Sequence, residues 1–256
     1  MRVLLAIQYR GTAYCGWQRQ KNGLSVQEVL MRAWRALTDE DVVFHGSGRT
    51  DAGVHALCQC AHFETRSAIP VDKIPYAFNT KLPPDVRVWW ATEVSDTFHA
   101  RFDVVRKTYV YRMYWGPHAD AFLYDTHCHL VRRPDVEAMR QAASRMLGEH
   151  DFKAMQATGG HVKSTVRTIY SIDIGEQGNR IDVTVCGNGF LYNMVRIMVG
   201  TMVYAGWGGL TPDAVERALA DGDRTALGKT LDACGLYLAK VEYKNVSLPI
   251  AIDIQT

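Results

Sequence analysis

The sequence predicts an α+β protein with two subdomains, residues 1–97 and 98–256. Hydrophobic residues make up 47% of the chain and charged residues 22%, which is typical of a globular protein with a sizeable core. Strand and helix patterns in residues 1–97 follow the order β-α-β-β-α-β, the ferredoxin-like arrangement. Strand patterns mixed with helices recur in residues 98–256, so the second subdomain is expected to be a sheet with helical insertions.

The first subdomain opens with a strand at RVLLAIQY (2–9) and an amphipathic helix at 24–38. Ser25 and Glu28 have the capping-box spacing that marks the start of this helix. A strand at 42–48 then runs into a glycine-rich turn. The remaining predicted elements are a strand at 57–65, a short helix around 71–79 that contains Pro75, and a strand at 85–94.

The second subdomain begins near FHARFD, residues 98–103. Alternation predicts a strand at 106–115, and Pro134 and Gly148 are expected to lie in the first turn and just past the end of a helix at 133–148. Two alternating segments flank GEQGN and predict a hairpin. The remaining predicted elements are helices around 191–205 and at 211–222, and a strand at 235–243.

The charge balance excludes few classes of function. Lys and Arg total 29 against 27 Asp and Glu, so the net charge is only +2. This permits a nucleic-acid partner without requiring one, because a binding face depends on local clustering. The six cysteines contain no CxxC pair and follow no signal-peptide pattern, so we expect reduced thiols in a cytoplasmic protein.

One apolar segment, residues 190–210, has the length of a membrane span. It contains Asn193 and Arg196, and an arginine at the centre of a spanning helix costs about 2.5–3.5 kcal/mol. We therefore expect a buried helix with an unusual arginine and no contact with a membrane.

The loop GSGRTDAG (46–53) places Asp51 among three glycines, with Arg49 two residues before it. A plain turn would use glycine and aspartate in the same way. A phosphate-binding loop is disfavoured, because a carboxylate repels phosphate and no Lys-Ser/Thr pair follows. A catalytic carboxylate is the third interpretation, and a metal site is the fourth.

The metal interpretation depends on Cys58, Cys60 and His62, near His55, and on the later triplet 127–129. On a strand, residues 58 and 62 lie about 13 Å apart, at roughly 3.3 Å per residue. Zinc ligands lie about 2.0–2.3 Å from the ion. These side chains cannot converge on one ion without breaking the strand, so we expect no metal.

The catalytic interpretation depends on the surroundings of Asp51. Glycines let a substrate approach closely, and Arg49 favours the ionised carboxylate, which can act as nucleophile or base. Arg196 supports it, because a buried arginine in an apolar helix needs an anion and Asp51 is an attractive partner. Exposure of Arg196, or a nearer acid, would satisfy that need as well.

GRTDAGVHA (48–56) resembles the signature of pseudouridine synthases that act on tRNA, the TruA family in particular. Other segments resemble motifs of that family in the same order, so the resemblance runs from about residue 3 to about residue 243. These segments are YRGTAYCGWQRQ (9–20), SVQEVLMRA (25–33), FHARFDVVRKTYVYRMY (98–114), GEHDFKAM (148–155), NGFLYNMVRIMVGTM (188–202) and GLYL (235–238).

The resemblance implies the pseudouridine synthase fold, with two ferredoxin-like subdomains around a central antiparallel sheet, and a homodimer. It implies isomerisation of uridine to pseudouridine at positions 38, 39 and 40 in the anticodon stem-loop of tRNA, with no cofactor and no metal. Asp51 is then the nucleophile or base, and Arg49 and Arg196 keep it charged and oriented. Tyr109 matches the active-site tyrosine of the family and would stack on the uracil or hydrogen-bond to it.

Basic residues cluster after the first strand and around Tyr109. Contact with RNA phosphates would explain these clusters, and so would solvated strand ends. Among them we expect Arg19 and Arg101 to contact the RNA. Two alternatives stay open: a non-catalytic RNA-binding module, since such sheets bind single strands, and a pseudouridine synthase with a different RNA target. A pure binding module has no use for the Asp51 carboxylate. By itself, Tyr109 also fits a structural aromatic beside Tyr111 and Tyr114.

Overall fold

The computed structural model describes residues 1–160 and 162–249. The chain forms two compact units, one of Met1–Val105 together with the chain from Tyr237 onward, and one of Arg106–Leu236. The second unit is thus inserted into the sequence of the first. The predicted boundary between residues 97 and 98 stays a prediction about domains, and residues 250–256 of the predicted second domain lie outside the described residues.

The first unit follows the predicted order β-α-β-β-α-β. Its elements are β1 (Arg2–Tyr9), α1 (Val26–Thr38), β2 (His45–Gly46), β3 (His55–Glu64), α2 (Ile74–Asn79) and β4 (Val86–Val94). Strand β1 pairs antiparallel with β3 on one side and β4 on the other. Strand β2 pairs antiparallel with β3, with His45 opposite His62. The central position of β3 matters for the site, because the loop that carries Asp51 leads directly into it.

Helix α1 begins where the sequence predicts. The Ser25 Oγ accepts a hydrogen bond from the backbone N–H of Glu28 at 3.3 Å, which satisfies one donor of the first turn. On the buried face, the Trp34 ring lies 4.9 Å from the Phe63 ring and 5.0 Å from the Phe78 ring, centroid to centroid. These aromatic contacts fix α1 and α2 against strand β3.

The second unit contains β5 (Val104–Trp115, from Arg106 on), β6 (Cys128–Leu130), α3 (Val136–Ser144), β7 (Gly148–Asp151), β8 (Val166–Gln177), β9 (Arg180–Gly187), α4 (Met194–Gly206) and α5 (Pro212–Asp221). Its strands lie in the order β5-β9-β8-β7, with antiparallel neighbours, and β6 pairs parallel with β5. Strands β8 and β9 form the predicted hairpin. Strand β10 (Leu236–Tyr243) follows and pairs parallel with β3, with Tyr237 opposite His55. The mixed α+β class, with mostly antiparallel strands, is confirmed.

The predicted helix at 133–148 is wrong at both ends. Helix α3 begins after Asp135, whose side chain accepts hydrogen bonds from the N–H groups of Glu137 and Ala138, so Pro134 lies before the cap and not in the first turn. At the other end, Gly148 has φ +89° and opens strand β7. Gly148 was expected to mark the end of a helix, but in the structure it is the first residue of a strand.

Helix α4 is apolar on nearly all of its surface and is buried along most of its length, as predicted. No helix in the described part of the chain is both long enough and apolar enough to cross a membrane. The close packing requires glycine at one point, since a Cβ at Gly200 would collide with the carbonyl oxygen of Lys229.

Candidate active site

The loop that carries Asp51 begins over a buried amide. Gln59, on β3, is fully buried. Its Oε1 accepts a hydrogen bond from the Ser47 hydroxyl at 2.6 Å, and its Nε2 donates to the Gly48 carbonyl at 3.0 Å. The amide therefore fixes two consecutive residues of the loop from beneath, before the chain reaches Asp51.

Thr50, directly before Asp51, is held through both its side chain and its backbone. Its hydroxyl lies 2.8 Å from the hydroxyl of Tyr9, the last residue of β1, and this contact is buried. Its carbonyl accepts a hydrogen bond from the N–H of Trp17 at 3.1 Å. Burial raises the pKa of Tyr9 far above its ordinary value, so this hydroxyl stays protonated.

The loop closes with a backbone turn and one close approach. The Val54 N–H donates to the Asp51 carbonyl at 3.1 Å. Gly16 has φ +87°, and a Cβ there would collide with the Thr50 carbonyl oxygen, so only glycine fits. Asp51 is half-buried and Arg49 is exposed. The carboxylate thus stands on a loop whose backbone is fixed at several points.

His55 links three of the segments that carry the family resemblance. Its Nδ1 accepts a hydrogen bond from the Gly11 N–H at 3.0 Å, and its ring stacks on Tyr237 with 4.6 Å between centroids. The sequence reasoning missed this role, and it missed the roles of Tyr9, Thr50 and Gln59. The only sequence signal for these roles was position, because Tyr9, Thr50 and His55 lie within the motifs that carry the resemblance, whereas Gln59 does not.

Tyr109 lies on β5 opposite Val185 and is 8% exposed. Its ring meets the Phe190 ring edge to face, with 5.1 Å between centroids and 82° between planes. A Cβ at Gly187 would lie 2.9 Å from the Thr168 carbonyl oxygen and 3.2 Å from the Phe190 ring, so this glycine leaves room for both. The tyrosine is therefore held by aromatic packing within the second unit.

Arg196 lies in the first turn of α4 and is half-buried. Its Nε donates to the Leu231 carbonyl at 2.7 Å, and its Nη1 donates to the Asn193 Oδ1 at 2.8 Å. Asn193 precedes the helix in a left-handed conformation, with φ +59°. Two neutral acceptors thus orient the guanidinium, and its predicted pairing with Asp51 stays a prediction.

The two candidate RNA contacts have fixed backbones and exposed heads. The Arg19 N–H donates to the Gln27 Oε1 at 2.7 Å, and the Arg101 N–H donates to the His99 Nδ1 at 3.1 Å. Both side chains are exposed. Arg112, from the basic cluster around Tyr109, differs, because it is mostly buried and its Nε lies 3.8 Å from Asp182.

His62, on β3, lies in a cluster of histidine rings. The His62 ring stacks on His45 at 4.9 Å and meets His99 at 4.8 Å, and its Nδ1 accepts a hydrogen bond from the Ala100 N–H. Burial, with the charges of neighbouring groups, lowers the pKa of His62 to about 4. Within residues 1–160 and 162–249, no group of three His, Cys, Asp or Glu residues could hold a metal ion.

The six predicted site residues divide between the two units. Asp51, Arg49, Arg19 and Arg101 belong to the first, and Tyr109 and Arg196 belong to the second. All of them except Arg49 have contacts described above that fix the backbone or the side chain. A carboxylate on a loop held in this way is typical of an enzyme site, because catalysis needs a group in one fixed orientation.

Residues 5–103 and 142–244 match the family described as tRNA pseudouridine synthase. The chain is 48% identical over 243 residues to tRNA pseudouridine synthase A of Ruminiclostridium cellulolyticum, covering 94% of this chain and 99% of that one. It is 44% identical to the enzyme of that name from Thermoanaerobacter sp. (strain X514), over 94% of this chain and 99% of the other. It is 41% identical to that of Bacillus pumilus, over 96% and 100% of the two chains.

The chain is therefore an enzyme of the isomerase class. It belongs to the tRNA pseudouridine synthase family, and the expected pseudouridine synthase fold is confirmed. Among solved structures, it is similar to a chain from the crystal structure of a Cbf5-Nop10-Gar1 complex, with a TM-score of 0.40 and 14% identity, over 92% of this chain and 48% of that one.

Proposed function

We propose that this enzyme isomerises uridine to pseudouridine at positions 38, 39 and 40 in the anticodon stem-loop of tRNA, with Asp51 as nucleophile or base. The observation that carries the proposal is the Asp51 loop, in which buried Tyr9 and Gln59 hold the neighbouring residues Thr50 and Gly48, in a chain of this family. A loop that only turned the chain would not need buried polar groups beneath it.

The reaction breaks the bond between uracil N1 and the sugar C1′ and rejoins the base through C5. An anionic carboxylate serves it either by adding covalently or by taking a proton from the sugar to give a glycal. After the base turns, C5 bonds to C1′ while the Asp51 carboxylate leaves C1′ in the covalent route or returns its proton to the sugar in the glycal route. The C5 proton then leaves, and N1 gains a proton. Both routes need Asp51 ionised, and the positive charge of Arg49 and Arg196 favours that state.

The remaining residues bind the substrate. Uridine in a stem must leave the helix, at a cost of a few kcal/mol, and Arg49 is proposed to fill the space it leaves. Tyr109, held edge-on by Phe190, stacks on the extruded uracil or hydrogen-bonds to it. Arg19 and Arg101 carry exposed guanidinium groups that bind backbone phosphates.

We also propose that the enzyme is a homodimer in the cytoplasm and needs neither cofactor nor metal. Sedimentation of the protein alone should give twice the mass of one chain, and sedimentation with tRNA should give that mass plus the mass of the bound tRNA. Activity should survive exhaustive dialysis against a chelator. A monomer that retains full activity would contradict the first statement, and activity restored only by an added divalent ion would contradict the second.

The central experiment measures tritium release from C5-labelled uridine in tRNA transcripts, for the native enzyme and for Asp51→Asn. We expect release by the native enzyme, none by the variant, and equal tRNA binding by both. Release by the variant would remove Asp51 from the chemistry. Binding without release by either protein would favour a non-catalytic RNA-binding module.

The target is tested with anticodon stem-loops that carry a single uridine at position 38, 39 or 40. We expect tritium release from each of the three and none from a stem-loop with uridine only at a position outside them. Release from full-length tRNA that persists when all three positions lack uridine would favour a different RNA target.

A further inference from the structure

The hydroxyl of Tyr9 is a buried polar group with no role in the proposed chemistry. Tyr9 is 3% exposed, and its oxygen lies 2.8 Å from the Thr50 Oγ1. Gln59 holds Ser47 and Gly48, which precede Thr50 in the same loop. The phenol oxygen therefore holds the side chain of Thr50, the residue directly before Asp51.

The strand geometry around Tyr9 is irregular at the same place. Along the pair formed by β1 and β3, Ile7 lies opposite Gln59 but Tyr9 lies opposite Ala56, so β3 carries one extra residue between them. Such bulges redirect side chains and occur often beside active sites. Here the bulge lies where Tyr9 reaches across to Thr50.

We propose that Tyr9 is a positioning residue for Asp51: its hydroxyl, through Thr50, fixes the orientation of the loop that presents the carboxylate. This inference rests on the proposed catalytic role of Asp51. It assigns to Tyr9 no contact with substrate. Its effect should fall on the chemical step and leave RNA binding unchanged.

The chain offers a clean variant and a matched control. Tyr9→Phe removes one oxygen and leaves the ring, which lies 6.4 Å from the Trp17 ring. Tyr111→Phe is the control, because Tyr111 is fully buried and its hydroxyl donates to the Asp232 carbonyl at 2.7 Å, in the second unit. Each change leaves one buried polar partner unsatisfied, so the two should cost similar stability.

For Tyr9→Phe we expect kcat with saturating tRNA to fall about 10- to 100-fold, because small misplacements of a catalytic group have effects of that size. KM and the Kd for tRNA should stay at their native values. Tyr111→Phe should lower the melting temperature similarly and leave kcat unchanged. Equal losses of kcat in both variants would show a general effect of stability and would overturn the proposal.

Thr50 supplies a second test that does not depend on Tyr9 variants folding well. Thr50→Val removes the hydroxyl and should lose about as much kcat as Tyr9→Phe, whereas Thr50→Ser keeps it and should restore most of the activity. The double variant Tyr9→Phe/Thr50→Val should be no slower than either single variant, since both break one contact. Fully additive losses would contradict the proposal.

The Asp51→Asn variant separates this inference from the proposed function. If Asp51→Asn is inactive and Tyr9→Phe keeps native kcat, the positioning role fails and the function stands. If Asp51→Asn is active, the proposed function fails and the positioning role fails with it.

Discussion

The regions that hold Asp51 and Arg196 are stabilised by different kinds of contact. The Asp51 loop is short and held mainly by polar contacts, with Tyr9 and Gln59 beneath it and Gly16 against its backbone. Arg196 belongs to a helix that is buried among apolar side chains, and only its guanidinium is held by polar acceptors.

The difference teaches where each region is sensitive. Hydrogen bonds are directional, so the loss of one hydroxyl oxygen can change the orientation of a loop. Apolar packing is non-directional and tolerates side chains of similar volume. We therefore expect small changes near Asp51 to have larger consequences than comparable changes around Tyr109 and Arg196.

The largest effect is expected from Gly16→Ala. The new Cβ would collide with the Thr50 carbonyl, and the residue would also keep an unfavourable φ of +87°. We expect a loss of about 2–4 kcal/mol in the free energy of unfolding, measured by urea denaturation. Activity per folded molecule should fall as well.

Gly148→Ala is the matched control for that collision. Gly148 has a nearly identical φ of +89°, but no atom within 4 Å of a new Cβ. It should lose only the cost of the backbone conformation, about 1 kcal/mol. If both variants were equally destabilised, close approach at the Asp51 loop would not be what requires Gly16.

Acid should weaken the first unit through His62. The pKa of this imidazole is about 4 in the folded protein, against an ordinary value of 6.5. Between these values the unfolded chain binds more protons, so the free energy of unfolding should fall as pH decreases from 6.5 to 4, by about 1–3 kcal/mol. The charged and titratable groups that face the ring are Arg2, His45, Glu64 and His99.

His62→Asn removes the titration and keeps an acceptor for the Ala100 N–H. The difference in unfolding free energy between pH 7 and pH 4 should therefore shrink in this variant. His118→Gln, at an exposed position, should leave the difference as it is in the native protein. An unchanged difference in His62→Asn would remove His62 as the cause.

A smaller effect is expected from Phe190→Leu. Leucine keeps the site apolar but removes the ring edge against Tyr109. Because apolar packing adapts, kcat should fall only about 3- to 10-fold, which is less than for Tyr9→Phe. Single-turnover tritium release measures both. A larger loss in Phe190→Leu than in Tyr9→Phe would reverse the comparison between the two regions.

The smallest effect is expected from Arg106→Ala. The Arg106 guanidinium lies over the exposed ring of Tyr170, 5.2 Å from its centroid. We expect this surface to bind a phosphate, so the variant should weaken tRNA binding a few-fold and reduce the slope of log K against log salt by about 1. Arg145→Ala, at a cation paired with Asp213 and Glu216, should leave the slope unchanged. An unchanged slope in Arg106→Ala would count against phosphate contact.

The sequence predicted the elements that have local signals. The Ser25 cap, the alternation of β1 and the apolar surface of α4 each specify one structure by short-range patterns. The same reasoning misplaced the start of α3. Proline in a first turn and aspartate at an N-cap are both typical of a helix start, and the structure uses Asp135 as the N-cap.

The supports of the candidate site could not be predicted in this way. Asp51 stood out because glycines surround it, whereas Tyr9 and Gln59 look like ordinary strand residues. Their role depends on which residues face each other after β1 and β3 pair, with a bulge between them. The register between two strands that lie about 50 residues apart in the sequence has no signature in a local pattern.

The order of the chain has a consequence for biosynthesis. Tyr237 of β10 stacks on His55, immediately beyond the Asp51 loop, yet the whole inserted unit is translated between the two. During translation, β10 can therefore pair with β3 only after the ribosome has synthesised residues 106–236. A chain that ends before β10 lacks the strand that pairs with β3 and the ring that stacks on His55, so we expect incomplete chains to be inactive.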